Sequence, residues 1–244
     1  LANEFDLLRS LTQQDWDEIG YSVASHDPYG HLLSCHQMKK YFPIWKPYIT
    51  HACVQDELST VLLGRAAALR TAWEKPVIFD EICYEGNFAD SRWGNLTAKE
   101  LVDRFYRALV AGTYCGHGEV LMGENREIVW TGVGQVLNGE SAPRIGFLKK
   151  LMQERLGQLD PLDKWWRVDF AFRPDVHYTY LGMDAPKEVP FMFPYRTMGA
   201  HDGARYRVTV VDGWNMTAKT LDTVYVAKAI NEMDYADEQG RMIP

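Results

Sequence analysis

Two segments of the chain each form a short strand-like stretch that leads directly into an acidic residue. Residues 1–6 carry Glu4, and residues 75–81 end on Glu81. Hydrolysis of a glycosidic bond uses two carboxyl groups. One is protonated and donates to the leaving oxygen, while the other is ionised and attacks the anomeric carbon or activates water. We therefore predict that Glu4 and Glu81 are the catalytic pair of a glycoside hydrolase.

Buried parallel strands are the elements that would position these acids, because catalytic groups of a (β/α)8 barrel lie where its strands end. Beyond residues 1–4, short and mostly apolar strand-like segments occur at 31–36, 48–55, 75–81 and 114–117. Helix signals lie between them, namely a cap at Thr12, a Leu- and Ala-rich run at 58–73, capping-box spacing of Thr97 and Glu100, and an apolar face after 141–143. This alternation predicts an α/β fold with about five strands of a (β/α)8 barrel.

The pattern changes after residue 156. Short β-branched or aromatic runs, separated by Pro, Gly and Asp, lie at 165–172, 176–181, 206–211 and 223–226. Such runs are typical of an antiparallel β domain. We predict a partial (β/α)8 barrel at 1–158 and a small antiparallel β-sandwich at 164–230, joined by a turn-rich stretch.

The composition favours a carbohydrate partner over nucleic acid or a membrane. The chain has 8 Trp, 13 Tyr and 10 Phe, and aromatic rings cover the apolar faces of sugars in binding clefts, although most single rings pack in cores. A formal net charge of -7 without a Lys/Arg run argues against nucleic acid. No apolar stretch approaches the roughly 20 residues of a membrane-spanning helix.

The four cysteines lie far apart in the sequence. They are Cys35, Cys53, Cys83 and Cys115, and no Cys-x-x-Cys pair occurs. Each lies in a strand-like segment, where a free thiol packs as a small hydrophobic group. We predict unpaired thiols, no cofactor and no active-site metal, and unpaired thiols favour a reducing compartment such as the cytoplasm.

Three segments carry a resemblance to a known family. The Asn3-Glu4 pair resembles the Asn-Glu that ends the fourth strand of retaining (β/α)8 glycoside hydrolases. More narrowly, residues 1–6, 75–86 and 139–145 resemble the apiosidase-like glycoside hydrolases, which carry a small carboxy-terminal β domain. The resemblance implies that this chain is the carboxy-terminal half of such an enzyme, with barrel strands four to eight, and that the missing amino-terminal half is its partner.

The same resemblance implies roles for the acidic segments. Glu4 would be the general acid/base, with a pKa raised by burial, and Glu81 would be the nucleophile of a retaining double displacement. Asn3 would donate a hydrogen bond to the sugar hydroxyl next to the anomeric centre. Asp80 and Glu85 remain open as competitors for the nucleophile, since a slip of one residue on a strand reverses the side chain.

Further residues near the strand ends are candidates for substrate binding. They are His36, Gln55, Tyr84, Trp130 and His117, with Trp93 as an additional aromatic candidate. In the family alignment His36 and Gln55 end strands five and six, where they can orient the substrate or hold the nucleophile. Trp130 is the candidate stacking platform for a sugar ring.

Two other functions remain open. A metal-dependent hydrolase on the same barrel would use His36, His51 and His117 as ligands on successive strands. Alternatively, the chain binds carbohydrate without cleaving it. Activity that survives a chelator argues against the first alternative, and glycan binding that survives loss of Glu4 and Glu81 supports the second.

Overall fold

The fold combines four α-helices with ten short strands within the residues that the structure describes. A computed structural model of the chain describes residues 1–56, 63–121, 138–161, 170–173, 175–185 and 203–226. The helices are α1 (Gln13–His26), α2 (Leu63–Trp73), α3 (Ala98–Val110) and α4 (Ser141–Leu151), and a π-helical turn, Met152–Leu156, continues α4. The strands are β1 (Ala52–Gln55), β2 (Val77–Glu81), β3 (Glu85–Gly86), β4 (Tyr114–Cys115), β5 (Glu119–Val120), β6 (Asp160–Pro161), β7 (Phe170–Arg173), β8 (Val176–Thr179), β9 (Arg205–Asp212) and β10 (Thr217–Val226).

A parallel sheet in the order β1-β2-β4 lies at the centre of the fold. Val54, Val77 and Phe79 point into the core and are fully buried. Helix α3 covers the sheet with Leu101 and Val102, which are also fully buried. The mixed α/β character is therefore as predicted, and the described part of the chain forms small sheets rather than a closed barrel.

The first two predicted strands are irregular. Residues 1–4 and 31–36 were expected to form strands, and the structure has no regular strand ladder in either segment. Side-chain hydroxyls take the place of backbone partners: the Leu33 amide donates to Thr50 Oγ1 at 2.9 Å. At Leu33 the hydroxyl thus takes an amide that a strand ladder would use.

These irregular segments nevertheless lie beside each other and beside the sheet. The His36 amide donates to the Ala2 carbonyl at 3.0 Å, and the Thr50 amide donates to the Leu33 carbonyl at 2.9 Å. Five segments are therefore neighbours in chain order: 1–5, 33–36, 50–55, 77–81 and 114–115.

Two helix starts confirm the capping signals in the sequence. Thr12 and Asp15 form a capping box before α1, and Thr97 and Glu100 form another before α3. In each case the threonine hydroxyl accepts from the third helical amide while the acid accepts from the threonine amide, which satisfies two amides that the helix itself cannot bond.

Two small antiparallel sheets follow the α/β region, with β6-β7-β8 in one and the β9-β10 hairpin in the other. The Tyr180 ring stacks on Tyr106 of α3 with ring centroids 5.4 Å apart. The Arg144 guanidinium of α4 lies over the Trp214 ring, 3.7 Å from its centroid. Aromatic contacts thus hold the antiparallel part against α3 and α4.

The sequence contains four cysteines, and all of them lie in the described part of the chain. None of the four is in a disulfide bond, and Cys35 and Cys83 are buried. Among the described residues, every helix is too short or too polar to cross a bilayer.

Asp6 fixes the loop that follows His36. Its carboxylate accepts hydrogen bonds from the amides of residues 38, 39 and 40, at 2.7, 2.6 and 2.9 Å. Burial acts to raise the pKa of Asp6, but these amides outweigh it and the pKa lies below its ordinary value.

Replacing Asp6 with Asn is expected to lower the free energy of unfolding by about 1 to 2 kcal/mol at pH 7, because an amide cannot accept three such bonds. The folded-state pKa is lowered, so the contribution is complete above the unfolded pKa of about 4 and is lost as the pH falls through the folded-state pKa. Urea unfolding of the complete protein at pH 7, 5 and 3.5 tests this, with exposed Asp90→Asn as control. A difference from wild type that stays constant to pH 3.5 would contradict the prediction.

Candidate active site

Glu81, the last residue of β2, is held by three donors on one oxygen. Its Oε2 accepts from the Tyr84 hydroxyl at 2.5 Å, from Gln55 Nε2 at 3.0 Å and from Trp93 Nε1 at 3.3 Å. The side chain is 22% exposed. Because the three donors approach Oε2, the carboxylate is fixed in orientation and Oε1 remains on the less occupied side.

A bulge in β2 explains why two consecutive acids reach the same place. The paired residues are Cys53 with Ile78 and Gln55 with Glu81. Three steps along β2 therefore match two steps along β1, and the extra residue breaks the alternation of side chains. His36 Nδ1 lies 3.3 Å from Asp80 Oδ2 and 3.7 Å from Glu81 Oε1.

Asp80 has a side-chain partner of its own, and its side chain is 28% exposed. The Cys53 thiol donates to Asp80 Oδ2 at 2.7 Å. Burial raises the pKa of Asp80, against the lowering effects of Cys53 and His36. Burial, and then the bond to Asp80, raises the pKa of Cys53 to about 12. The thiol is therefore a neutral donor near pH 7.

His36 links the two segments that carry the predicted acids. Its amide donates to the Ala2 carbonyl at 3.0 Å and its carbonyl accepts from the Phe5 amide at 2.9 Å. These bonds bracket Glu4, while the His36 ring, only 7% exposed, faces Glu81. Glu4 itself is partly exposed.

The turn at Glu4 and the turn that follows Glu81 each contain a non-glycine residue with positive φ. Glu4 has φ 46° and Cys83 has φ 69°. The left-handed conformation costs an ordinary residue about 1 to 2 kcal/mol, and such residues cluster at functional sites. After Cys83 the chain returns, with the Tyr84 amide donating to the Trp93 carbonyl at 2.7 Å, and this places the Tyr84 hydroxyl on Glu81.

Several buried polar atoms near Glu81 have no hydrogen-bond partner among the described residues. They are His36 Nε2, Gln55 Oε1 and Asp80 Oδ1. Buried polar atoms in folded proteins are nearly always paired, with protein groups or with water. The surroundings of Glu81 thus contain polar atoms that are shielded from solvent and leave hydrogen-bonding capacity unused.

Glu85, the other competitor for the nucleophile, is 6% exposed and lies at the amino terminus of α4. It accepts from the amides of Glu140 and Ser141, at 2.8 and 2.9 Å. Both of its oxygens are therefore engaged by the start of the helix, whereas Glu81 has its three donors on Oε2.

The predicted substrate-binding residues separate into three groups. Gln55, Tyr84 and His36 meet at Glu81, together with Trp93. His117 lies instead beside Ser141, with Nε2 3.1 Å from Oγ. Asn3 is exposed next to Glu4, and Trp130 lies outside the described residues.

The three histidines of the metal-hydrolase alternative have different surroundings. His51 Nδ1 lies 2.9 Å from Thr50 Oγ1, and burial lowers the pKa of His51. Within the described residues, the group of three potential metal ligands contains His117 with Glu85 and Glu119, and neither His36 nor His51.

Cys53 is the contact that sequence reasoning missed. It was expected to be only a buried strand thiol, and it donates to Asp80. A signal was present, because Cys53 stands two residues before Gln55 and the two therefore share one face of β1.

The arrangement of the chain has a counterpart among solved structures. The whole chain superposes on a putative glycoside hydrolase from Bacteroides vulgatus ATCC 8482, with a TM-score of 0.86 and 31% sequence identity. This chain is similar to that protein throughout. It spans 49% of the length of that protein. Residues 165–234 match the family described as Domain of unknown function (DUF5605). No curated protein matches the sequence.

Proposed function

We propose that the chain is part of a glycoside hydrolase that cleaves O-glycosidic bonds of an oligo- or polysaccharide with retention of configuration. The observation that carries the proposal is the carboxylate of Glu81 at a strand end, with three donors on Oε2 and Oε1 free of them. The likeness to a glycoside hydrolase of the same fold supports it.

In this proposal residues 1–158 contribute strands four to eight of a (β/α)8 barrel, and residues 164–230 form a carboxy-terminal β-sandwich, as in the apiosidase-like family. Support comes from the five segments that neighbour each other in chain order and from the antiparallel pairing after residue 160. An amino-terminal half would supply the remaining barrel wall, so activity is measured on the complete natural protein.

Glu81 and Glu4 divide the reaction between them. Oε1 of Glu81 attacks the anomeric carbon while the bond to the leaving oxygen breaks, and Glu4 gives its proton to that oxygen. A glycosyl ester of Glu81 results. Water then attacks the anomeric carbon, Glu4 takes the water proton, and the carboxylate of Glu81 leaves.

The surrounding side chains position this chemistry. Tyr84, Gln55 and Trp93 hold Oε2, so that Oε1 faces the substrate. His36 orients Glu81 from the side of Oε1, where its Nδ1 lies 3.7 Å away. Asn3 donates to the hydroxyl next to the anomeric centre.

Trapping of the covalent intermediate tests the proposal. A panel of dinitrophenyl 2-deoxy-2-fluoroglycosides, which slow hydrolysis of the glycosyl ester, is incubated with the complete protein. We expect one reactive member to add a single fluoroglycosyl group to the peptide that contains Glu81, detected by mass spectrometry. A label on Asp80 or Glu85 would contradict the assignment, and release of product with inverted configuration would contradict retention.

A further inference from the structure

A second cluster of ionisable side chains lies behind the predicted nucleophile. One oxygen of Glu85, one oxygen of Glu119 and one ring nitrogen of His117 all lie within 4.8 Å of one another. Strands β3 and β5 are parallel neighbours in which Glu85 pairs directly with Glu119. Paired residues of adjacent strands project to the same side, so the sheet register brings the two carboxylates together.

Both carboxylates are buried, with each residue only 6% exposed. Glu85 has its partners in the first residues of α4, where the Ser141 hydroxyl also donates to Oε2 at 2.5 Å. Glu119 Oε1 accepts from the Asn138 amide at 2.7 Å. Glu119 Oε2 is buried and has no hydrogen-bond partner among the described residues. A buried carboxylate oxygen without a partner is costly unless a cation or a proton compensates it.

The backbone closes tightly over this cluster. A Cβ atom on Gly139 would lie 2.4 Å from Glu85 Oε2 and 2.8 Å from Glu119 Oε2. Only glycine fits there, so the segment before α4 approaches both carboxylates. Neither lysine nor arginine is among the bonded partners that the described residues give to these carboxylates.

His117 completes a set of potential metal ligands. The Ser141 hydroxyl gives its proton to Glu85, so it can accept one from His117 Nε2 at 3.1 Å. An imidazole that donates from one nitrogen keeps a lone pair on the other, as metal-bound histidines do. Two carboxylates and one imidazole suit a transition-series ion such as Zn²⁺ better than Ca²⁺ or Mg²⁺, which prefer oxygen ligands.

We propose that Glu85, Glu119 and His117 bind one Zn²⁺ ion at a structural site. The ion neutralises the two buried carboxylates and is coordinated by the Glu119 oxygen that has no hydrogen-bond partner among the described residues. Such a site has no sequence signature, since its ligands come from three separate positions on β3, β5 and the turn before β5.

The site lies directly behind the Tyr84 contact with Glu81. A Cβ on Gly118, between His117 and Glu119, would meet the Tyr84 ring at 1.9 Å, so the ring packs against this backbone. Bound Zn²⁺ would hold that backbone and, through it, the ring whose hydroxyl bonds Glu81. The ion fixes the position of the Tyr84 ring and takes no part in breaking the glycosidic bond.

Titration of the complete protein with Zn²⁺, after stripping with a chelator, tests the site. Isothermal titration calorimetry is expected to detect one ion per chain, and the midpoint of thermal unfolding is expected to rise by several °C at saturation. Glu119→Gln and His117→Asn are each expected to weaken binding more than about 10-fold. Glu140→Gln, an exposed neighbour whose side chain is outside the cluster, should bind as wild type does.

The sign of the stability change gives a second readout. Without metal, Glu119→Gln removes a buried carboxylate that has no cationic partner among the described residues, so the variant should unfold at a higher temperature than wild type. With Zn²⁺ the order should reverse, because only the wild type gains stability. Equal Zn²⁺ binding by wild type, Glu119→Gln and His117→Asn would overturn the proposal, as would no binding at about 1 mM Zn²⁺. If Glu119→Gln does not fold, Zn²⁺ binding by His117→Asn decides the test, because that variant keeps both carboxylates of the cluster.

Discussion

Replacement of Glu81 with Ala in the complete protein is expected to lower kcat on an aryl glycoside by roughly 10⁴-fold or more. The reason is that, among the described residues, the neighbouring acids are engaged elsewhere: Asp80 accepts from Cys53 and Glu85 from the start of α4. Added azide should restore part of the rate, since the small anion fits the space of the missing carboxylate, and the product should be the glycosyl azide of inverted configuration.

Two matched variants show whether the loss of kcat is specific to Glu81. Glu18→Gln, on the exposed face of α1, is the neutral control. Asp80→Asn tests the adjacent acid, because the bulge brings Asp80 as well as Glu81 close to the His36 ring. Normal turnover by Glu81→Ala together with inactivity of Asp80→Asn would transfer the nucleophile to Asp80.

Replacement of Glu4 with Gln is expected to lower kcat by about 10²-fold to 10⁴-fold on substrates with poor leaving groups. With a dinitrophenyl leaving group, which departs without a proton, the first step should remain fast while hydrolysis of the glycosyl ester is slow. The stopped-flow trace should then show a burst of dinitrophenolate followed by a low steady rate.

Azide distinguishes Glu4 from Glu81 in the same assay. In Glu4→Gln it should attack the accumulated ester and yield a glycosyl azide of retained configuration, the opposite anomer to that from Glu81→Ala. An equal loss of rate for good and poor leaving groups would show that Glu4 is not the proton donor.

Placement at strand ends explains which site residues the sequence could predict. Gln55 and Glu81 end neighbouring parallel strands, and these ends meet at one edge of the sheet. Tyr84 and His36 follow from the same reasoning, and all four meet in the structure. The position of Glu4 relative to Glu81 depends on the irregular segments 1–5 and 33–36, which obey no such pairing rule.

Features that depend on packing between distant segments could not be predicted. The bulge that turns Asp80 and Glu81 to one side arises from a mismatch of one residue between β1 and β2, and the residues of β2 contain no glycine or proline to mark it. The sequence left Glu85 open as a competitor for the nucleophile, whereas its partners belong to the start of a helix 55 and 56 residues further along the chain.

The left-handed backbone at Glu4 has a practical consequence for trapping a substrate complex. Glu4 has φ 46°, where its Cβ crowds the backbone and glycine, which lacks a Cβ, does not. Glu4→Gly should therefore remove about 1 kcal/mol of backbone strain from the folded state. The greater freedom of glycine in the unfolded chain offsets this relief, so the variant should keep about the stability of wild type. The proton donor would be lost at the same time. A folded protein that cannot release a poor leaving group would keep an intact oligosaccharide in place long enough for crystallography.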